Sequence, residues 1–275
     1  GILGRETFLV PLTWETEPYW WKQPKLTFPV VSPESGRVEL RYRMPYTGTE
    51  QSEAAGFEDD FGGTELRLEW NFRRTPREPF HSLAEEPGSL RLFLQPGRIE
   101  ELARYSFMGI RQRDFQFEAV TRMAFTPAST DEEAGVVVIQ NDRSAYALTL
   151  TRAADGGSRV SLYHTADGEI TPIAESGLVG DTIHFKITGD YLDYGFHYST
   201  DGTKWTVLSK DVDGVLLSPA VIEGYNYTGA YIGLYASSNG SATQSHADFD
   251  SFSYRATADA RDHWYQRQRD HETSR

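Results

Sequence analysis

Four acidic runs are the first residues to weigh for chemistry: Asp59-Asp60, Glu85-Glu86, Glu100-Glu101 and Asp131-Glu132-Glu133. Two carboxyl groups held across a bond can act as general acid and as base or nucleophile. Each run falls in a turn-like or linker stretch, so the expectation is a solvated charged face. The seven histidines are scattered, with no HExxH and no close pair, and no histidine-based metal site is expected. In "HADFDSF", Asp248 and Asp250 share one strand face; they could help to bind Ca²⁺, but a solvent-facing pair is the expectation, and no cofactor is expected. There is no GxSxG and no glycine-rich phosphate loop after a strand. With no cysteine, a thiol nucleophile, a disulfide frame and a Cys-ligated metal are excluded.

The formal net charge is −13, from 40 acidic and 27 basic residues. That balance argues against nucleic acid, where basic groups must displace counterions from phosphates. It also argues against an anionic membrane surface, and no apolar run approaches the ~20 residues of a spanning helix. Neutral or cationic partners fit better. The chain carries 15 Tyr, 15 Phe and 6 Trp. Most should pack a β core, while a few are free to stack on sugar rings.

The elements that position these residues are strands. In "FQFEAVTRMAF", Phe115, Phe117, Ala119, Thr121, Met123 and Phe125 fall on one face and Gln116, Glu118 and Arg122 on the other. "GVVVIQN", "YALTLTRA", "RVSLYHT", "TIHFKITG", "YGFHYST", "WTVLS", "AYIGLYAS" and "ADFDSFSYR" follow, divided by turn signals such as "NDRS", "DGGS" and "ADGE". "TELRLEWNF" and "GSLRLFLQ" read as two earlier strands, and Phe8-Leu9-Val10 as another ahead of Pro11. With no amphipathic helix between them, the fold class is an all-β antiparallel sandwich. Residues 45–63, rich in Gly and acids, read as a linker or long loop, and 258–275 as a polar C-terminal tail.

Taken in order, "LGRETFLVPLTW", "FPVV", "DDFGGTELRLEWNFRRTP", "GSLRLFLQP", "FMGIRQRDFQFEAVTRMAF", "AGVVVIQND", "YTGAYIGLYA" and "HADFDSFSYRA" resemble the C-terminal part of family 43 glycoside hydrolases. These include β-xylosidases and α-L-arabinofuranosidases. The resemblance covers nearly residues 1–257, and its specificity lies in the order of many segments. It implies a concanavalin-like sandwich over 64–257, preceded in 1–44 by the last strand or strands of a five-bladed β-propeller. Two stretches depart from the pattern: "EPYWWKQPKLTFPVV" is longer and more aromatic than a short connection, and the final 18 residues have no counterpart.

By that resemblance the catalytic carboxylates belong to the propeller, upstream of Gly1, and none is expected here. Arg5 of "GRET" looks like an arginine that reaches the substrate; an ion pair with Glu6 that closes the propeller is the other reading. In "EGYNYTGAYIG", Tyr227 matches an aromatic residue that reaches from the sandwich toward the active site, with Tyr225 beside it. Packing at the domain rim is the alternative for both.

Asn226-Tyr227-Thr228 and Asn239-Gly240-Ser241 are N-glycosylation sequons, which suggest a secreted protein. A glycan on Asn226 competes with a substrate role for Tyr227. The function expected is the C-terminal portion of a glycosidase acting on xylan or arabinoxylan. Its expected partners are the oligosaccharide and the propeller portion as a separate chain. The rival function is a free-standing xylan-binding module, for which residues 1–31 have no use.

Overall fold

The structure, a computed structural model, describes residue 3 and residues 9–17, 26–39, 42, 56–218 and 228–257. These fall into two compact units, one built on Ala54–Ala260 and a smaller one on Glu6–Glu53.

The smaller unit holds an antiparallel hairpin of β1 (Leu12–Glu17) and β2 (Leu26–Val31). Thr16 faces Thr27 across it, with the hydroxyls 2.8 Å apart. The strand expected at Phe8–Val10 is displaced: Leu9 and Val10 precede the ladder, and Phe8 lies outside the described residues. Pro11 explains the shift, because it has no N–H to donate and enters only through its carbonyl, which accepts from Ser32 N at 2.9 Å. Trp14 is 67 % exposed on this hairpin.

The larger unit is the sandwich. Its first strands are short: β3 (Phe57–Asp59), β4 (Asn71–Phe72), β5 (His81–Ser82) and β6 (Leu90–Phe93). Longer ones follow as β7 (Ser106–Arg111), β8 (Gln116–Ala124), β9 (Glu133–Asn141), β10 (Ser144–Arg152) and β11 (Ser158–Ala166). The rest are β12 (Glu169–Val179), β13 (Thr182–Asp190), β14 (Asp193–Ser199), β15 (Thr206–Asp213), β16 (Tyr231–Ser237) and β17 (His246–Ala256). One sheet runs β12-β11-β10-β9-β16-β7-β4 and the other β15-β14-β13-β8-β17-β6-β5, with β3 also on β17. All the strand pairs are antiparallel, as expected.

The main core lies between the sheets. Phe117, Ala119, Thr121 and Met123 of β8 point inward while their neighbours are only half-buried, the alternation of a sheet with one wet face. β9 is different, buried on both faces, which is why its sequence is a continuous apolar run. Val136 and Val138 join the main core, while Val137 and Ile139 join a second cluster with Phe107, Tyr105, Tyr163 and Tyr235 on the opposite face.

The stretch expected to be a linker over 45–63 enters the sandwich by Phe57. Phe57 packs edge-on against Trp70 at 5.3 Å, both rings contact Phe252, and β3 pairs with β17. Fully burying such a ring stabilises by about 1.5–3 kcal/mol, which offsets part of the cost of ordering this segment. Conversely, of the strand expected in "TELRLEWNF" only Asn71–Phe72 forms, because Leu66 and Trp70 pack from a turn-rich path.

Candidate functional site

Of the site residues expected from sequence, Arg5, Tyr225, Asn226 and Tyr227 lie outside the described residues. The frame from which residues 219–227 depart is described. A 3-10 turn, Gly214–Leu217, opens on Asp213, whose carboxylate accepts from Val215 N at 2.8 Å, and ends at Ser218. The chain returns at Thr228. There the Gln140 side-chain amide donates to the Thr228 carbonyl at 2.7 Å, and Gln112 N donates to the Ala230 carbonyl at 2.9 Å. The buried Tyr194 hydroxyl donates to Gln112 Oε1 at 2.6 Å, so this glutamine is itself fixed. Burial pushes the Tyr194 phenol far up, which keeps it a donor at any working pH. Arg111 lies over the Tyr231 ring at 5.6 Å on the adjoining strand pair. Sequence reasoning missed both glutamines; the one signal was an amide placed among strand apolar residues, as in "VVVIQN".

Glu85-Glu86 is the exposed pair expected, but each of the other three acidic runs has at least one carboxyl group drawn in from solvent. Glu133 is 5 % exposed and accepts four hydrogen bonds. Thr149 Oγ1 donates to Oε2 at 3.0 Å; Tyr163 and Tyr235 hydroxyls donate to Oε1 at 2.8 and 3.0 Å, and Asn239 Nδ2 at 3.0 Å. Burial first, and then the Glu133 charge, hold both phenols well above the ordinary tyrosine value. Glu132 is also buried, accepting from Ala128 N at 2.7 Å and from the Thr243 hydroxyl. Asp59 accepts from Trp70 Nε1 at 2.8 Å and from Phe61 N at 2.9 Å. Glu100 is partly buried beside Arg98, and desolvation raises its carboxyl above the usual range. A carboxylate drawn inside must collect donors, while Asp60, Glu101 and Asp131 stay exposed next to their drawn-in neighbours. None of the four runs sets two free carboxyl groups across an open gap.

The Asp248–Asp250 pair is corrected in the same way. Arg91 lies directly across the ladder from Asp248 and grips it with both forks, at 2.7 and 2.8 Å. Asp250 pairs with Arg122 and accepts from the Ser89 hydroxyl at 2.9 Å. The oxygens that Ca²⁺ would require are held by arginine instead. The Asn239 sequon is likewise engaged: its amide nitrogen, the atom a glycan would take, donates to both Asp131 O and Glu133 Oε1 at 3.0 Å.

A cleft of about 670 Å³ opens beside the second apolar cluster, between segments 72–80, 93–107 and 243–245. Arg73 and Arg74 share Asp142 at 3.3 and 2.8 Å, and Arg74 also donates to Ala103 O at 2.7 Å. Gly97 shapes one wall: a Cβ there would meet the Arg104 carbonyl oxygen at 2.0 Å, so only glycine allows the approach. Tyr105 stands behind it, its phenol pushed up to about 12 by burial and next by the Asp142 charge.

Residues 58–255 match the family described as the β-xylosidase C-terminal concanavalin A-like domain. The chain belongs to this family. Outside the concanavalin A-like domain the likeness continues. A non-reducing end α-L-arabinofuranosidase of Bacteroides ovatus is 34 % identical over 259 residues, which is 92 % of this chain and 45 % of that protein. A xylosidase/arabinosidase of Butyrivibrio fibrisolvens is 29 % identical over 91 % of this chain and 46 % of its own length. The solved Bacteroides ovatus xyloglucan PUL GH43B superposes with a TM-score of 0.80 at 31 % identity, over 92 % of this chain and 47 % of that one. A Bacillus licheniformis GH43 protein shares the fold at a TM-score of 0.76. The chain spans about half the length of the curated relatives it matches, on the C-terminal part of family 43 glycoside hydrolases. In those relatives the propeller belongs to the same polypeptide.

Proposed function

We propose that the chain is the sandwich portion of a glycosidase that removes xylose or arabinose units from xylan or arabinoxylan. The observation that carries this reading is the continuous match to arabinofuranosidase and xylosidase relatives over nine-tenths of the chain. That match runs past the sandwich into residues a free-standing binding module would not need, which favours an enzyme part over the module. The buried glutamines at Thr228 and Ala230 support a second element of the reading. They give the 219–227 segment a rigid base from which Tyr225 and Tyr227 can border the sugar nearest the cut.

In this reading the sandwich performs no proton transfer. The two carboxyl groups of the reaction belong to the propeller portion, where Arg5 contributes a planar fork to sugar hydroxyls. The propeller portion is the partner, in the same polypeptide as in the relatives or as a separate chain, and intact-mass analysis of purified material tells these apart. Extracellular placement is part of the same reading, suggested by the sequons at Asn226 and Asn239. The test is hydrolysis of aryl β-xyloside and aryl α-L-arabinofuranoside by the assembled enzyme, compared with residues 1–275 alone. Turnover by the assembled enzyme only is expected; turnover by residues 1–275 alone would place catalytic carboxylates within them.

A further inference from the structure

We infer that the cleft between segments 72–80, 93–107 and 243–245 binds an uncharged oligosaccharide of the xylan type. The inference rests on the glycan-directed reading above and adds to it a second place of contact, on the sandwich itself. Its volume, about 670 Å³, falls in the range of small-molecule sites, roughly 300–1,000 Å³. Its walls combine the three things a sugar needs. Phe72 offers a partly exposed ring, held in place by Phe80 at 5.5 Å edge-on and by His81 stacked at 5.5 Å, so its free surface can take the C–H face of a pyranose. Arg77 and Arg104 line the cleft as exposed donors, and Glu78 and Glu101 line it as exposed acceptors. Among the described residues none of these four makes an ion pair with another side chain, although the other lining arginines, Arg73 and Arg74, are committed to Asp142.

The balance of signs decides the ligand. Each sugar hydroxyl both donates and accepts, so a wall of free arginines and free glutamates can satisfy it from either side. An anionic ligand would gain from Arg77 and Arg104 but meet Glu78 and Glu101 unpaired. A cation would meet the reverse. A neutral polyol alone suits both, and the chain's overall −13 charge further disfavours anions.

Isothermal titration of residues 1–275 with xylotetraose tests this without any turnover. Saturable binding is expected, weakened at least fivefold by Arg77→Ala or Arg104→Ala, whose side chains are exposed and whose loss should leave melting unchanged. Lys210→Ala, at a 76 % exposed site elsewhere, should bind as the parent does. A xylo-oligosaccharide carrying a glucuronate branch should bind no more tightly than the neutral one. Absence of binding, or binding that the two arginine variants leave intact, overturns the cleft as the site. Tenfold tighter binding of the glucuronate form overturns its assignment to neutral sugars. The glycosidase reading is judged separately, by hydrolysis in the assembled enzyme, so a failed titration leaves it standing.

Discussion

Asn239 Nδ2 sits 3.0 Å from Glu133 Oε1, so the residue that closes one turn ties down the carboxyl group that opens a strand over a hundred positions earlier. Asn239 adopts a positive φ of 46°, which asparagine tolerates better than most residues, and the turn thereby aims its amide inward. Together with Tyr163, Tyr235 and Thr149 it surrounds Glu133 with neutral donors.

Removing the acceptor should therefore be costly. In Glu133→Gln the shape persists, but one acceptor oxygen becomes an amide that faces donors. A loss of about 1–3 kcal/mol in unfolding free energy is expected, the scale of a buried group left unsatisfied. Urea unfolding measures it. Asn239→Ala should lose about 1–2 kcal/mol by the same logic. An unchanged midpoint in both variants would show that the network contributes nothing to stability.

The Arg91–Asp248 fork makes a second prediction. Both side chains are largely buried, and the pair is bidentate and directly cross-strand. Asp248→Asn removes the charge and one strong acceptor, with an expected cost of about 1.5–3 kcal/mol. Arg91→Met should cost less than Arg91→Ala, because its stem still packs on the strand. Equal stability of all three variants and the parent would contradict the geometry.

The histidines set a pH dependence. Burial holds His81, His164, His184 and His197 below the ordinary imidazole value, with the Arg122 charge adding at His184 and Lys186 at His197. The unfolded chain then binds more protons than the folded one once the pH drops below about 6.5. Their contribution is complete above that pH and is lost as the pH falls through the folded values. Melting at pH 5.5 should thus lie below melting at pH 7.5 at equal ionic strength. Imidazole titrations by NMR should centre below about 6.5 for these four, and centres above it would reverse the sign.

For catalysis, Tyr227→Ala in the assembled enzyme should lower kcat/KM by a factor equivalent to about 1–3 kcal/mol, the value of a ring contact plus a hydrogen bond. Melting should hardly move. Gln140→Ala, which frees the Thr228 carbonyl, should weaken kcat/KM in the same direction while also lowering stability. A large drop in melting with unaltered kinetics for Tyr227→Ala would make that residue a packing group.

Much of the fold was legible because strands announce themselves when their faces differ. β8 and β13 alternate cleanly, and the turns "DGGS" and "ADGE" carry positive-φ glycines at Gly156 and Gly168. β12 went unread. It is a mostly exposed edge strand interrupted by Pro172 and Gly177, and no buried face stamps a period on it. The site was less legible still. A carboxylate looks the same in sequence whether water or four protein donors surround it, so Glu133, Asp248 and Asp59 all read as surface. Only the register, which sets Arg91 opposite Asp248, distinguishes the two cases.

The strand order has a temporal consequence. β16 sits between β7 and β9, and β17 sits between β8 and the pair β6 and β3, so each occupies the middle of its sheet yet follows every strand it touches. Until Tyr231–Ala256 leave the ribosome, both sheets stand split, with open backbone edges rich in β-branched and aromatic residues. Such a chain must wait, largely assembled and exposed to aggregation, for the segment that joins its halves. Its folding should be slow and dominated by long-range closure, and a ribosome stalled before Tyr231 should hold a protease-sensitive nascent chain that becomes resistant once β17 has emerged.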